Sequence, residues 1–164
     1  MEQQEEGEGA ARDEVFALMA RAQTVLLVTV TPAGPRARPM RPIVRAAEGV
    51  VWFLTDADSH KLDELEASPD VCLLFTEGAR LQLAVGGYAT LVNDRDAVAA
   101  LWSPEAALFW PEGPERSRVN AIHVEPVDAE LWGGDKPAVI ARKVALAVRQ
   151  GVRPELGRHA KLRL

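Results

Sequence analysis

The chain has a single cysteine, Cys72, among its 164 residues. An intrachain disulfide is therefore excluded, which fits a reducing compartment. No run of residues approaches the roughly 20 apolar positions that a membrane-spanning helix requires. The stretch before Val15 is acidic and lacks the apolar segment of a secretory signal. These absences predict a cytoplasmic protein with no membrane partner.

The charge balance argues against a nucleic-acid partner. The formal net charge is -5 at pH 7, whereas binding to a phosphate backbone needs a positive face. Residues 136–164 are the exception, since they are rich in arginine and lysine and contain one acid, Glu155. No aromatic residue is interleaved there for base stacking, so a solvated helix and tail is favoured over an RNA-binding segment.

The hydrophobic pattern predicts a mostly β protein. Most of the predicted strands are joined by hairpins, which indicates an antiparallel barrel or sandwich of about six strands with added helices. Pro39 and Pro42 cannot donate to a ladder and place the second strand at an edge or bulge, and Gly86-Gly87 indicates a bulge within a later strand. The strands are predicted over residues 24–31, 36–46, 50–55, 71–76, 81–92, 119–124 and 129–132.

The domain organisation follows from this pattern. Apolar residues at helical spacing and capping residues predict helices over 13–22, 59–67, 94–102 and 136–150, with a further helical turn or an ordered loop over 104–110 and a hairpin turn at 77–79. We expect a disordered acidic tail over 1–12, one barrel domain over 13–135, and a basic helix and tail over 136–164.

Two segments carry groups suited to a phosphate dianion. Arg36 and Arg38 alternate along a strand and therefore project from the same face. Thr55, Ser59 and Lys61 lie where a strand end leads into a helix, with Ser59 as the N-cap. A helix N-terminus adds unpaired N–H groups and partial positive charge. The sequence has no glycine-rich P-loop or dinucleotide fingerprint, so the phosphate belongs to another kind of ligand.

A family resemblance rests on these segments. The sequence contains Arg38-Pro39-Met40, then Trp52-Phe53-Leu54-Thr55-Asp56, then Ser59-His60-Lys61-Leu62-Asp63-Glu64-Leu65. In this order and spacing they resemble the pyridoxamine 5'-phosphate oxidase-like superfamily, and within it the general stress protein 26 group. The likeness spans most of residues 24–132. It implies a six-stranded antiparallel split β-barrel with flanking helices that binds FMN at the interface of a homodimer.

The resemblance also implies a role for each site residue. Arg38 and Lys61 would hold the FMN phosphate, beside the hydroxyls of Ser59 or Thr55. Arg41, or a protonated His60, near the pyrimidine edge would favour the anionic reduced flavin. The remaining expected contacts are the main chain of Pro39, Met40 and Arg41 at the isoalloxazine edge, Phe53 and Leu54 beneath it, and Gln82 with Trp102 or Trp110 from the second chain.

The implied activity is an FMN-dependent oxidoreductase of unknown substrate, linked to stress response and using a small-molecule electron donor or acceptor. We find no counterpart of the arginine- and histidine-rich C-terminal motif of the true vitamin B6 oxidases, so pyridoxamine 5'-phosphate is not the expected substrate. The alternatives are a non-catalytic flavin-binding or flavin-buffering stress protein, a dimer without cofactor, and a deazaflavin in place of FMN. His60, His123 and His159 lie too far apart to suggest a zinc site.

Overall fold

The computed structural model describes residues 2–77, 81–134 and 137–164. The helices are α1 Glu2–Arg21, α2 His60–Ala67, α3 Arg95–Ala100, α4 Ala106–Phe109 and α5 Pro137–Gln150. The strands are β1 Val25–Thr31, β2 Gly34–Met40, β3 Ile43–Arg45, β4 Val50–Asp56, β5 Asp70–Glu77, β6 Leu81–Val92, β7 Val119–Gly133 and β8 Arg158–Arg163. The helices predicted over 59–67, 94–102 and 136–150 are confirmed within their described residues, whereas the turn at 77–79 lies largely outside them.

The described strands form one antiparallel sheet in the order β2-β1-β5-β6-β7-β4-β3, with β8 paired to β7. β2 and β3 lie at opposite ends of this order although only Arg41 and Pro42 separate them in the chain. Since so short a connection spans roughly 11 Å at most, the sheet must curl until its two edges approach each other. This is an open split barrel, as predicted, and β2 is an edge strand, as its prolines indicate.

The strand count differs from the prediction, because the described residues contain eight strands rather than six. The segment 36–46 divides at Arg41-Pro42 into β2 and β3, while the two short strands predicted over 119–132 are one strand, β7. The register between β6 and β7 shifts at Gly86/Gly87, where Gly87 lies opposite Pro126 and Gly86 opposite Asp128. The predicted bulge is therefore confirmed. Because the bulge accommodates Pro126, β7 continues through this residue, where the sequence pattern predicts an interruption between two strands.

The C-terminal residues belong to the sheet instead of forming a tail. Strand β8 pairs with β7 from Asp128 to Gly133. Leu162 and Leu164 pack against the main core, and Lys161 forms an ion pair with Glu130. The alternation of apolar and basic residues after His159 is the period-two signal of a half-buried strand.

Helix α1 begins at Glu2, so it includes most of the range for which a disordered tail is predicted. Glu, Gln and Ala are good helix formers and extend a helix once its end is anchored. The anchor is apolar, because Val15, Phe16 and Met19 are buried in the main core. None of the described helices is long and apolar enough to cross a bilayer.

The bulge gives a test of the fold. A side chain at Gly87 would overlap the carbonyl oxygen of Glu125 on β7. Gly87→Ala is therefore expected to destabilise the protein by about 1–3 kcal/mol, the usual cost of overpacking. Gly9→Ala is the control, since nothing lies within 4 Å of that added methyl group, and a helical alanine stabilises by up to about 1 kcal/mol. Thermal melts that showed equal Tm values for the two variants would contradict this account.

Candidate functional site

A cleft with a volume of about 720 Å³ opens between the β1–β2 hairpin and the start of α2. We call it the cationic cleft, because Arg36, Arg38 and Lys61 line it. Its lining residues are Thr31, Pro32, Ala33, Arg36, Arg38, Asp58, Ser59, His60, Lys61 and Glu64. Arg36 and Arg38 thus share a face, as their alternation predicts, and β2 and α2 bring the two phosphate-suited segments together.

Lys61 is held by the two hydroxyls predicted to lie beside it. Its Nζ donates to Thr55 Oγ1 at 2.7 Å and to Ser59 Oγ at 2.6 Å. Ser59 is the N-cap residue of α2, as predicted, but its side chain makes no cap hydrogen bond. Its hydroxyl is turned to Lys61 instead, so capping does not account for this serine.

The Lys61 ammonium lies in an environment that disfavours its charge. Partial burial, followed by the positive charge of Arg38, lowers the pKa of Lys61 below its usual 10.5, although Asp56 and Glu64 oppose this effect. Desolvation and a like charge both favour the neutral amine. An anion bound in the cleft would relieve this cost, which makes the site suited to phosphate.

Arg38 has a partner that the sequence analysis missed. Its Nη2 donates to both carboxylate oxygens of Glu64, at 2.6 and 2.5 Å, and its Nη1 donates to Thr29 Oγ1 at 2.8 Å. The Thr29 hydroxyl donates in turn to Glu64 Oε2 at 2.6 Å. Glu64 follows Lys61 by three positions on α2, so the helical face shared with Lys61 is the signal that could have identified it.

The Arg38–Glu64 pair lies near the surface, with side-chain exposures of 24% and 16%. Desolvation alone would raise the pKa of Glu64, but the hydrogen bonds from Arg38 and Thr29 and the charge of Arg38 outweigh it, and this pKa lies below 4.5. Glu64 is therefore a carboxylate at neutral pH, and the guanidinium next to the phosphate-suited groups already binds an anion.

The other cleft residues leave room for a ligand. The side chain of Arg36 is exposed and makes no hydrogen bond or ion pair within the described part of the chain. His60 is almost fully exposed, with Nδ1 3.9 Å from an oxygen of Asp63. Asp58 is paired with Arg118 at 2.8 Å. Among the lining groups Arg36 is thus the cation most available to a bound anion.

A second cleft, of about 190 Å³, contains most of the residues expected around a flavin ring. We call it the apolar cleft. It is lined by Pro39, Met40, Arg41, Ile43, Leu54, Ser103, Glu105, Ala106, Phe109 and Trp110. Arg41 Nη2 lies 3.7 Å from Glu105 Oε1, and Trp110 Nε1 donates to Asp56 Oδ1 at 2.7 Å. Five of the predicted site residues, Pro39, Met40, Arg41, Leu54 and Trp110, therefore meet here.

Residues of β2 line both clefts, whereas β4 lines the apolar cleft through Leu54 and supports the cationic cleft through the hydrogen bond from Lys61 to Thr55. Arg38 and Pro39 are neighbours on β2 and belong to different clefts. Asp56 ends β4 and links the two clefts, since it accepts from Trp110 and its charge acts on Lys61. One elongated ligand with a phosphate at one end is compatible with this arrangement.

Four predicted site residues line neither cleft. Thr55 is buried on β4 and reaches the cationic cleft only through the hydrogen bond that it accepts from Lys61. Phe53 is fully buried in the main core, so its side chain does not reach a ligand. Gln82 is exposed on β6, opposite Thr76 and Trp132. Trp102 packs against the small cluster under α3, with its ring centre 6.0 Å from that of Trp110. The contacts of Gln82 and Trp102 with a flavin stay predictions that require a second chain.

The sequence matches the family model described as pyridoxamine 5'-phosphate oxidase like over residues 10–155. The chain belongs to this family. The match includes both clefts and confirms the family resemblance of the motifs from Arg38 to Leu65. Among curated protein sequences, no significant match was found.

Solved structures show the same fold as this member of the pyridoxamine 5'-phosphate oxidase-like family. A general stress protein 26 from Jannaschia sp. CCS1 is 20% identical, with a TM-score of 0.71, covering 96% of this chain and 99% of that chain. The general stress protein 26 from Bacillus anthracis str. Sterne is 20% identical over 74% of this chain and 92% of its own, with a TM-score of 0.65. The general stress FMN/FAD binding protein from Xanthomonas citri is 23% identical over 76% and 89%, with a TM-score of 0.66.

The described residues contain no group of three or more His, Cys, Asp and Glu side chains placed to hold a metal ion. Cys72 is half-buried, and desolvation raises the pKa of its thiol. The chemistry of the two clefts thus rests on their cations, hydroxyls and apolar walls.

The Glu64 ion pair predicts a loss of stability in acid. Because the pKa of Glu64 is lower in the folded protein than its usual 4.5, the folded state binds fewer protons there than the unfolded chain. The stabilisation is present above pH 4.5 and is lost as the pH falls through the folded value. Glu64→Gln is expected to lower the free energy of unfolding at pH 7 and to weaken its dependence on pH below 4.5.

Urea denaturation at a series of pH values measures this effect. Glu66→Gln is the matched control, because Glu66 is exposed on the same helix and its replacement changes the net charge equally. Identical pH profiles for Glu64→Gln and wild type would refute the stabilising role of the pair.

Proposed function

We propose that this protein binds FMN, with the phosphate in the cationic cleft and the isoalloxazine ring toward the apolar cleft. The observation that carries the proposal is Lys61, held by Thr55 and Ser59 at the start of α2, within a cleft that also presents Arg36 and Arg38. A phosphate dianion there would meet an ammonium, guanidinium groups and the N-terminus of an eight-residue helix.

The residues present fit this cofactor at both ends. Three cations of the cationic cleft face two carboxylates, Asp58 and Glu64, so the lining is net positive. The walls of the apolar cleft include Met40, Leu54 and Trp110, which offer flat and apolar surface to a ring system. Among its lining residues Arg41 is the only arginine or lysine, which suits one polar edge of a flavin.

The proposal extends to redox chemistry with a small-molecule electron donor or acceptor. Bound FMN would supply reversible electron transfer. The protein would anchor the phosphate through Lys61 and place Arg41 beside the ring, where its charge would favour an anionic reduced flavin. The description of the family as oxidase-like supports this proposal, as does the FMN/FAD binding protein of Xanthomonas citri.

A flavin carrier without dedicated substrate and a deazaflavin-dependent enzyme are the alternatives. The absorbance spectrum of the purified protein distinguishes flavin from deazaflavin, since the two absorb at different wavelengths. Oxidation of reduced nicotinamide by the FMN-loaded protein under oxygen then separates an enzyme from a carrier.

We further propose that pyridoxamine 5'-phosphate is not the substrate. Its phosphate needs a second set of cationic donors beside the flavin ring, while Lys61 and Arg38 belong to the cofactor phosphate. Within the apolar cleft Arg41 is the only such donor, and its guanidinium lies 3.7 Å from the Glu105 carboxylate. A single arginine without a second cationic donor beside it is a poor clamp for a dianion.

The contribution of Lys61 is the direct test of FMN binding. Lys61→Ala is expected to weaken FMN binding about ten- to a hundredfold, because a charge-assisted contact contributes roughly 1.5–3 kcal/mol. Quenching of flavin fluorescence on titration measures this affinity. Lys61→Arg preserves the charge and is expected to bind more tightly than Lys61→Ala.

The same titration has a pH signature. Since the pKa of Lys61 lies below its usual 10.5, the ammonium loses its proton below that pH, and wild-type affinity is expected to decline there as the pH rises. Lys61→Arg should not share this decline. Unchanged affinity in Lys61→Ala, with the fold intact by circular dichroism, would place the phosphate elsewhere.

We also propose that two chains form a homodimer with FMN at their interface. Leu108 and Phe109 on α4 are 80% and 75% exposed beside the apolar cleft. Large apolar side chains exposed next to a ligand cleft are typical of an interaction surface. A second chain covering α4 would complete the wall of the cleft.

Light scattering is expected to give the mass of two 17.8 kDa chains at micromolar concentration. Replacing Leu108 and Phe109 together by serine should shift the mass toward one chain and weaken FMN binding, because the surface would lose its apolar contact. Val148→Ser on α5, where Val148 is 75% exposed, is the control. A monomeric wild type that binds FMN would contradict the interface proposal but not the cofactor proposal.

A further inference from the structure

We propose that Glu64 is an internal competitor of the flavin phosphate, holding Arg38 in the free protein and yielding it when the phosphate binds. This inference rests on the proposed function. It assigns to Glu64 a role in setting cofactor affinity and in distinguishing phosphorylated from unphosphorylated flavin.

The Arg38–Glu64 ion pair uses guanidinium N–H groups that a phosphate bound to Arg38 would also need. Both carboxylate oxygens of Glu64 lie within 2.6 Å of Arg38 Nη2. Arginine binds a phosphate through the same guanidinium N–H groups, often by two parallel N–H···O bonds, and here Nη2 already donates to Glu64 and Nη1 to Thr29. Glu64 therefore occupies the donor that a phosphate on Arg38 would need. The carboxylate and the phosphate cannot both make all of their hydrogen bonds to Arg38 at the same time.

Glu64 also lies close to the place where Lys61 would bind a phosphate. Lys61 and Glu64 are one turn apart on α2, and both line the cationic cleft. A phosphate bound by Lys61 would thus lie close to the Glu64 carboxylate and be repelled by it. With 16% of its side chain exposed at the cleft wall, Glu64 can turn toward solvent without rearrangement of the core.

Glu64 could instead serve to orient Arg38 toward a ligand, but the contact between Arg38 and Thr29 makes that role unnecessary. The Thr29 hydroxyl is buried on β1 and accepts from Arg38 Nη1 at 2.8 Å. Arg38 therefore keeps an orienting contact to the sheet when Glu64 moves away. Glu64 is not needed to direct Arg38 into the cleft, so its main effect on a ligand phosphate is competition.

The competition makes the site selective for a phosphorylated ligand. A ligand without phosphate gains nothing from Arg38 and leaves the ion pair in place. A phosphorylated ligand displaces Glu64, and the free energy needed for that displacement lowers its affinity. Removing the carboxylate should therefore change FMN affinity and leave riboflavin affinity unchanged.

The experiment is a fluorescence titration of wild type, Glu64→Gln and Glu66→Gln with FMN and with riboflavin at pH 7. Glu64→Gln keeps an oxygen to accept from Thr29 but removes the charge. We expect FMN binding to become about tenfold tighter in this variant, on the scale of one charge-assisted contact. Riboflavin binding should stay within about twofold, and Glu66→Gln should match wild type for both ligands. Glu64→Ala is the second variant and should shift FMN affinity in the same direction.

FMN binding that is unchanged or weaker in both Glu64 variants would overturn the proposal, as would an equal gain in Glu66→Gln. A wild type that binds no FMN would instead contradict the proposed function. In that event inorganic phosphate still tests Glu64, through the rise in Tm that it causes. A larger phosphate-induced rise in Glu64→Gln than in wild type would support competition, and an equal or smaller rise would overturn it.

Discussion

The break at Arg41-Pro42 is the constraint on which the architecture depends. It sends one continuous segment from the first edge of the sheet, β2, to the opposite edge, β3. The two edges must then lie close together, so the sheet is curled rather than flat. The same segment carries Arg36 and Arg38 in the cationic cleft and, further along the chain, Pro39, Met40 and Arg41 in the apolar cleft, so one stretch of chain contributes to both parts of the site.

The cationic part is built from a balance of opposed charges. Lys61 is partly buried next to a guanidinium, which makes its charge unfavourable, and the carboxylate of Glu64 compensates for some of that cost. The Arg38–Glu64–Thr29 contacts also join α2 to β1 and β2. The Arg38–Glu64 contact stabilises the free protein. We therefore expect it to affect anion affinity as well, since an anion that binds Arg38 must replace this contact.

Helix α4 has the corresponding role at the apolar end. It covers the cleft with Ala106, Phe109 and the adjoining Trp110, yet it leaves Leu108 and Phe109 largely in solvent. The Trp110–Asp56 hydrogen bond fixes this wall to the end of β4, one residue beyond Thr55. A surface that is anchored on one side and apolar on the other is suited to a second subunit, which is why the flavin proposal and the dimer proposal are coupled.

Local chemistry in the sequence determined the composition class, the main hairpins, the start of α2 and the shared face of Arg36 and Arg38. These features depend on residues a few positions apart, so periodicity and capping preferences reveal them. Tertiary structure alone decided that Glu64 meets Arg38, that β8 joins β7, that Phe53 turns into the core, and that the region around Pro126 is a bulge in one strand. Each of these depends on which distant segments the curled sheet brings together, and a short sequence window contains no record of that curvature.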